Sequence, residues 1–230
     1  FKKVGMEPTG DPFNSLMKLE NTDSSPYNPM INAGAIVVAS CLASEISFDT
    51  MLDTIRALCM DPDINLDKKV YHSEMSHISR NRAIAYLLES KGYIEKNKDV
   101  ENSLHFYVKM CSLSVTAESL AGLGLILAND GIHPDTGKRL LSSQAVKIVK
   151  TLMFTCGMYD GSGEFAVRVG IPSKSGVGGG ILSVVDGEMG IGIFGPALDK
   201  KGNSVAGECV LEYMSHELHL HMFDPQRHTL

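Results

Sequence analysis

No apolar run in this chain reaches the roughly 18–20 residues needed to cross a bilayer as a helix. The longest, residues 120–128, is interrupted by glycines. A basic excess is also lacking. Lys and Arg number 21 against 27 Asp and Glu, for a net charge of −6, and the cations are scattered rather than striped. A polyanion such as nucleic acid is therefore not expected as a main partner, nor is a membrane. The five cysteines, Cys41, Cys59, Cys111, Cys156 and Cys209, include no C-x-x-C pair. Their odd number and apolar neighbours predict reduced, mostly buried thiols and a cytoplasmic protein. There is no internal repeat and no low-complexity segment.

What is there is enough apolar sequence, 43% of 230 residues, to bury a full-sized core. Residues 1–30 are punctuated by Pro8, Gly10, Pro12, Pro26 and Pro29 and read as loops. Helices are expected over 32–43, 48–60, 71–90, 103–113, 116–129, 142–156 and 205–218. The helix over 32–43 has too few polar residues to lie on a surface. In the helix over 71–90, Ala83, Ile84, Tyr86, Leu87 and Leu88 form the expected buried side. Thr116 is placed to cap one helix, with Glu118 in its first turn, and Ser142 or Ser143 to cap another. Short strands are expected over 165–171, 180–185 and 190–194. Helices first, then a small antiparallel sheet, then one helix make an α+β chain rather than alternating βαβ.

The segment Pro172–Gly180, PSKSGVGGG, stands out. Its glycines let a strand backbone approach a ligand closely and leave N–H groups free to face a developing oxyanion. Lys174 adds a positive charge beside them. That combination suits acyl transfer at a carbonyl. A glycine-rich hairpin with a solvated lysine has the same composition. It is not a dinucleotide loop, because residue 181 is Ile and no strand–turn–helix follows.

Polar residues set into apolar helices form a second group. Glu74 and Asn81 lie seven apart, two helical turns, and are expected on one helix face. A buried carboxylate is costly unless paired, so Glu74 is suited to hold an ammonium group. Asn32 and Asn81 offer amides to a zwitterion, or else bond between helices. Tyr107 sits in an apolar helix. Tyr159, in the turn-rich run 157–163, is near a lysine-bearing segment and suited to proton relay, or else packs on the core below a helix cap. His216, His219 and His221 miss the HExxH spacing, so no metal is expected. Ser15-Leu16-Met17-Lys18 has the S-x-x-K spacing of an acyl-enzyme nucleophile, but it follows Pro12 in a loop and no apolar helix continues after Glu20.

In order along the chain come Glu7-Pro8-Thr9-Gly10, Asn28-Pro29-Met30-Ile31-Asn32-Ala33-Gly34-Ala35-Ile36, Ser73-Glu74, Arg80-Asn81, Tyr107 and Cys111-Ser112. Leu127-Ala128-Asn129-Asp130-Gly131, Cys156-Gly157-Met158-Tyr159-Asp160 and residues 172–180 follow. With these the chain resembles the serine-dependent glutaminases, nearest to the bacterial type, essentially from end to end. The resemblance implies the fold of serine β-lactamases and penicillin-binding proteins, one catalytic domain over 1–230 with a helical part at about 28–157 and a sheet with its C-terminal helix at about 164–222. It implies hydrolysis of L-glutamine to L-glutamate and ammonia, a homotetramer, and no cofactor. Asn32 and Asn81 would bind the amino-acid end of the substrate and Glu74 its ammonium. Tyr107 and Tyr159 would line the reacting end, with Tyr159 helping proton transfer. The Val177 N–H would be one oxyanion donor, and Lys174-Ser175-Gly176 the counterpart of a K-T-G box. The family's S-x-x-K serine lies upstream of the stretch that matches residues 1–5, so the chain is expected to be a C-terminal part without its nucleophile. A non-catalytic amino-acid-binding or assembly module is the alternative from another class. A penicillin-recognising enzyme is a third, disfavoured because the Glu74 and Asn81 pair suits a small zwitterion.

Overall fold

The computed structural model describes residues 2–16 and 25–227. They form two compact units, the first of residues 2–16, 25–56 and 62–114, the second of 57–61 and 115–227. The division falls near residue 115. Two of the long helices pack with the sheet of the second unit.

The first unit holds α1 (Asn32–Ala43), most of α2 (Phe48–Cys59), α3 (Lys68–Ser76), α4 (Ser79–Ser90) and α5 (Val100–Cys111). Strands β1 (Asn65–Leu66) and β2 (Leu113–Ser114) pair antiparallel, Asn65 opposite Ser114. Ile36, Val37, Ile84, Leu88, Leu104 and Val108 form its core, all 2% exposed or less. Asp67 caps α3 by accepting from the Lys69 and Val70 amides, and Asp99 caps α5 by accepting from Asn102 N.

The single helix expected over 71–90 is two. The His77 amide donates to Glu74 O and closes α3. The chain leaves the helical region at His77, with φ −112° and ψ 16°, and the Ser76 hydroxyl donates to Ser73 O at 2.7 Å. α4 restarts at Ser79 and buries Ile84, Ala85 and Leu88, so Tyr86, expected inside, stands outside at 47% exposure.

The second unit holds α6 (Ala117–Ala128), α7 (Ser143–Cys156), a single 3₁₀ turn at Tyr159–Gly161, α8 (Ser162–Arg168) and α9 (Val205–Glu217). Its antiparallel sheet runs β3 (Ser173–Ser175), β4 (Gly180–Val185), β5 (Met189–Phe194) in that spatial order. Thr116 caps α6 within a capping box completed by Ser119, and Ser142 caps α7. α6 lies directly on β5 because glycines remove the side chains between them. A Cβ on Gly192 would sit 1.8 Å from the Ala117 carbonyl oxygen. Met158, Phe165, Ile171, Ile181, Val185 and Leu211 form the core of this unit.

The strand expected over 165–171 is instead helix α8 and a turn. Phe165 and Val169, four apart, go into the core while Val167 stays 80% exposed. Helical spacing places those side chains; a two-residue alternation would have buried Val167 with them. Gly170 then turns the chain with φ +65°, under the His221 ring. The cysteines also differ from expectation. Cys59 and Cys156 are buried, Cys41 is half-buried, and Cys111 and Cys209 are exposed. Among the described residues no single helix is long and apolar enough to cross a bilayer.

Candidate active site

In the second unit the K-S-G triplet is strand β3, with Lys174 opposite Leu182 and Ser175 opposite Ile181. Tyr159 opens the 3₁₀ turn that follows α7. Its φ is +55°, a conformation that side chains other than glycine rarely adopt. Ser162 holds it there, its hydroxyl donating to Tyr159 O at 2.7 Å and accepting from Met158 N at 3.0 Å. The Ser175 amide donates to Gly157 O at 3.0 Å, tying the end of α7 to β3. The ring end of Tyr159 is fixed as well. Its hydroxyl donates to the Ser175 carbonyl at 3.0 Å. The Lys174 ammonium donates to the same carbonyl and lies 4.5 Å from the centroid of the Tyr159 ring.

Past β3 the chain turns through Gly176–Gly179, closed by Gly179 N donating to Gly176 O at 2.8 Å and Gly176 N to Gly180 O at 2.9 Å. Val177 is at the exposed tip of this turn, 52% accessible, and its N–H has no acceptor among the described residues. The Ser175 hydroxyl is buried without a hydrogen-bond partner among them. A free amide on a glycine turn beside a rigidly held tyrosine is suited to binding an oxyanion and passing a proton.

In the first unit Asn32 is the opening residue of α1, and its side-chain amide donates to Asn81 Oδ1 on α4 at 2.9 Å. Both are half-buried. Tyr107, on α5, packs half-buried against the core of that unit. Glu74 is not the buried carboxylate expected. It is exposed on α3, and the break at His77–Ile78 puts it on a different helix from Asn81. The structure thus brings Asn32 to Asn81 in one unit, and Tyr159 to Lys174 in the other.

Ser15 lies in a loop, its amide donating to Pro12 O at 2.9 Å; Met17 and Lys18 are outside the described residues. His219 Nδ1 faces Asp224 Oδ2 at 3.1 Å. A group that sequence reasoning missed lines a cavity of about 210 Å³ formed by Gly161, Glu164, Phe165, Arg168, Asp199, Lys201 and Glu208. Burial, then the charge of Asp199, pushes the Glu208 carboxyl above its ordinary range. Three carboxylates spread over three segments carried no signal in the sequence. The Cys59 thiol is pushed up to about 11 by burial and by Asp61.

The sequence model of the Glutaminase family matches residues 1–223. The chain belongs to the glutaminase family. It is 54% identical over 227 residues to a glutaminase of Fusobacterium nucleatum, covering 97% of this chain and 74% of that protein. A Clostridioides difficile glutaminase is also 54% identical, with 73% of it covered. The crystal structure of a probable glutaminase of Bacillus subtilis superposes with a TM-score of 0.91 at 40% identity, over 96% of this chain and 75% of the other. The glutaminase chain therefore has the β-lactamase-like α+β fold of these bacterial structures. By family it is an enzyme, an amidohydrolase.

Proposed function

We propose that this glutaminase hydrolyses L-glutamine to L-glutamate and ammonia. The reading is carried by the family match over residues 1–223. It is supported by a Bacillus subtilis glutaminase, 40% identical and covering 86% of this chain and 70% of its own, with a TM-score of 0.81. That protein was crystallised as a covalent complex with 5-oxo-L-norleucine after reaction with 6-diazo-5-oxo-L-norleucine. The reagent has the amino-acid end of glutamine and a diazoketone in place of the side-chain amide.

The residues divide by role. Asn32 and Asn81 take the amino-acid end of the substrate, Glu74 its ammonium, and Tyr107 lines the site. Tyr159 handles the proton at the reacting end. The Val177 N–H donates to the oxyanion, where one such donor contributes roughly 100- to 1,000-fold in rate. The wall beside it is Lys174-Ser175-Gly176. The acylated serine belongs to an S-x-x-K motif outside residues 1–230, and the enzyme works as a cytoplasmic homotetramer.

Ammonia release from glutamine, measured on the full-length enzyme and on residues 1–230 separately, tests the reading. Full-length turnover with none from residues 1–230 is the expected result. No turnover from either sinks the glutaminase assignment, and turnover by residues 1–230 sinks the external nucleophile. Sedimentation of the full-length enzyme as anything but a tetramer sinks the assembly.

A further inference from the structure

We propose that Lys174 is a positioning residue that acts through Tyr159 rather than on the substrate. The inference rests on the reading of Tyr159 as the proton-handling group. Three observations carry it.

The Lys174 ammonium is committed within its own unit. It donates to the Ser175 carbonyl and stands 4.5 Å from the centre of the Tyr159 ring. A cation over a tyrosine face is attracted by the ring quadrupole, more strongly where both are partly desolvated, as these two half-buried side chains are.

The Tyr159 hydroxyl donates to that same carbonyl at 3.0 Å. Its proton is therefore held on the backbone of β3 until the hydroxyl turns toward the reacting end. The ring has a floor in the ammonium and an anchor in the carbonyl.

The other end of Tyr159 is held on an unfavourable backbone, φ +55°, by Ser162. A side chain set on strained backbone needs support at its far end to keep one orientation. Lys174 supplies that support. It also sets a positive charge beside the ring, which steadies the phenol while its hydroxyl turns from the Ser175 carbonyl, gives its proton to the leaving nitrogen and takes one from the attacking serine hydroxyl. The Val177 N–H, without an acceptor among the described residues, is left to serve the oxyanion.

A double-mutant cycle on the full-length enzyme tests this. The variants are Lys174→Met, Lys174→Arg, Tyr159→Phe and Lys174→Met with Tyr159→Phe. Lys174→Met is expected to lower kcat roughly 3- to 30-fold, the rate equivalent of losing one cation–π contact, with KM within about twofold. Lys174→Arg, which keeps a cation over the ring, recovers most of that loss. In the Tyr159→Phe background Lys174→Met costs less than about twofold more, because the group it served is gone. Deficits that multiply, or a Lys174→Met effect on KM alone, overturn the inference.

A second measurement does not depend on turnover. In protein with ¹³C-labelled lysine, the Lys174 ε-methylene protons should be shifted upfield by the ring current. The shift should persist in Tyr159→Phe and vanish in Tyr159→Leu. No shifted lysine signal in the parent protein overturns the geometry. If the parent enzyme releases no ammonia from glutamine, the functional reading falls and this one with it. If it is active and the deficits multiply, this inference alone falls.

Discussion

The Asn32 side-chain amide donates to Asn81 Oδ1 at 2.9 Å and joins the start of α1 to α4 across 49 residues of sequence. Both amides are half-buried, so each depends on the other for one partner. Asn81→Ala leaves the Asn32 donor without its acceptor. The expected cost is about 1 kcal/mol of stability, read as a lower urea midpoint. KM for glutamine should rise in the same variant, because Asn81 is assigned to the amino-acid end of the substrate. A shifted midpoint with an unchanged KM assigns the pair to the fold alone.

Glu74 is exposed on α3, so it carries no desolvation penalty waiting to be relieved. As the proposed ammonium partner, it would act through a charge-assisted hydrogen bond made when substrate arrives. Glu74→Gln keeps the shape and removes the charge. It should raise KM roughly 10- to 100-fold and leave kcat within about twofold. A KM equal to that of the parent enzyme removes Glu74 from the binding site.

Gly192 stands where α6 meets β5, and the atom in the way of a side chain is backbone, the Ala117 carbonyl oxygen at 1.8 Å. Neither partner can rotate aside. Gly192→Ala is expected to cost 3 kcal/mol or more, at or above the upper end for overpacking, about 3 kcal/mol, and to lower the melting temperature sharply. Gly137→Ala is the control for general glycine effects on packing. It has no atom within 4 Å of the added carbon, although its φ of +68° carries its own strain. A Gly192→Ala protein that melts like the Gly137→Ala protein contradicts the close approach.

Cys59 is 5% exposed and its thiol is pushed up to about 11. A raised folded value means the neutral thiol contributes stability that is present below the unfolded value, near 9, and is lost as pH rises toward 11. The loss approaches about 1.4 kcal/mol per pH unit in that window. Cys59→Ala should flatten the fall of melting temperature between pH 9 and 11. At pH 8, intact-mass alkylation should modify Cys111 and Cys209 quickly and Cys59 only after denaturation. Rapid labelling of Cys59 in the folded protein rejects its burial.

The α+β order, most helix positions, the Thr116 and Ser142 caps, and two of the three expected strands were legible because each rests on neighbours a few residues apart. The strand expected over 165–171 was not. Phe165 and Val169 face a core supplied by β4 and α9, and nothing within the segment announces that core. The split between α3 and α4 comes where His77 leaves helical dihedrals, and no glycine or proline in 71–90 announces it. Glu74 is exposed because α3, unlike α4, buries none of its residues.

The sequence by itself determined the family, because motif order and spacing survive without coordinates. Composition also set limits on length of apolar run and sign of charge. Only the tertiary structure decided how the side chains are held. Lys174 and Tyr159 are 15 positions apart, and no spacing rule places an ammonium over a ring. That contact needs β3 tied to the end of α7 by the Ser175 amide and Gly157 carbonyl. It also needs Tyr159 fixed on a backbone it would not choose alone. Local chemistry is written in neighbours, whereas a site is made by segments that meet only when the core has formed.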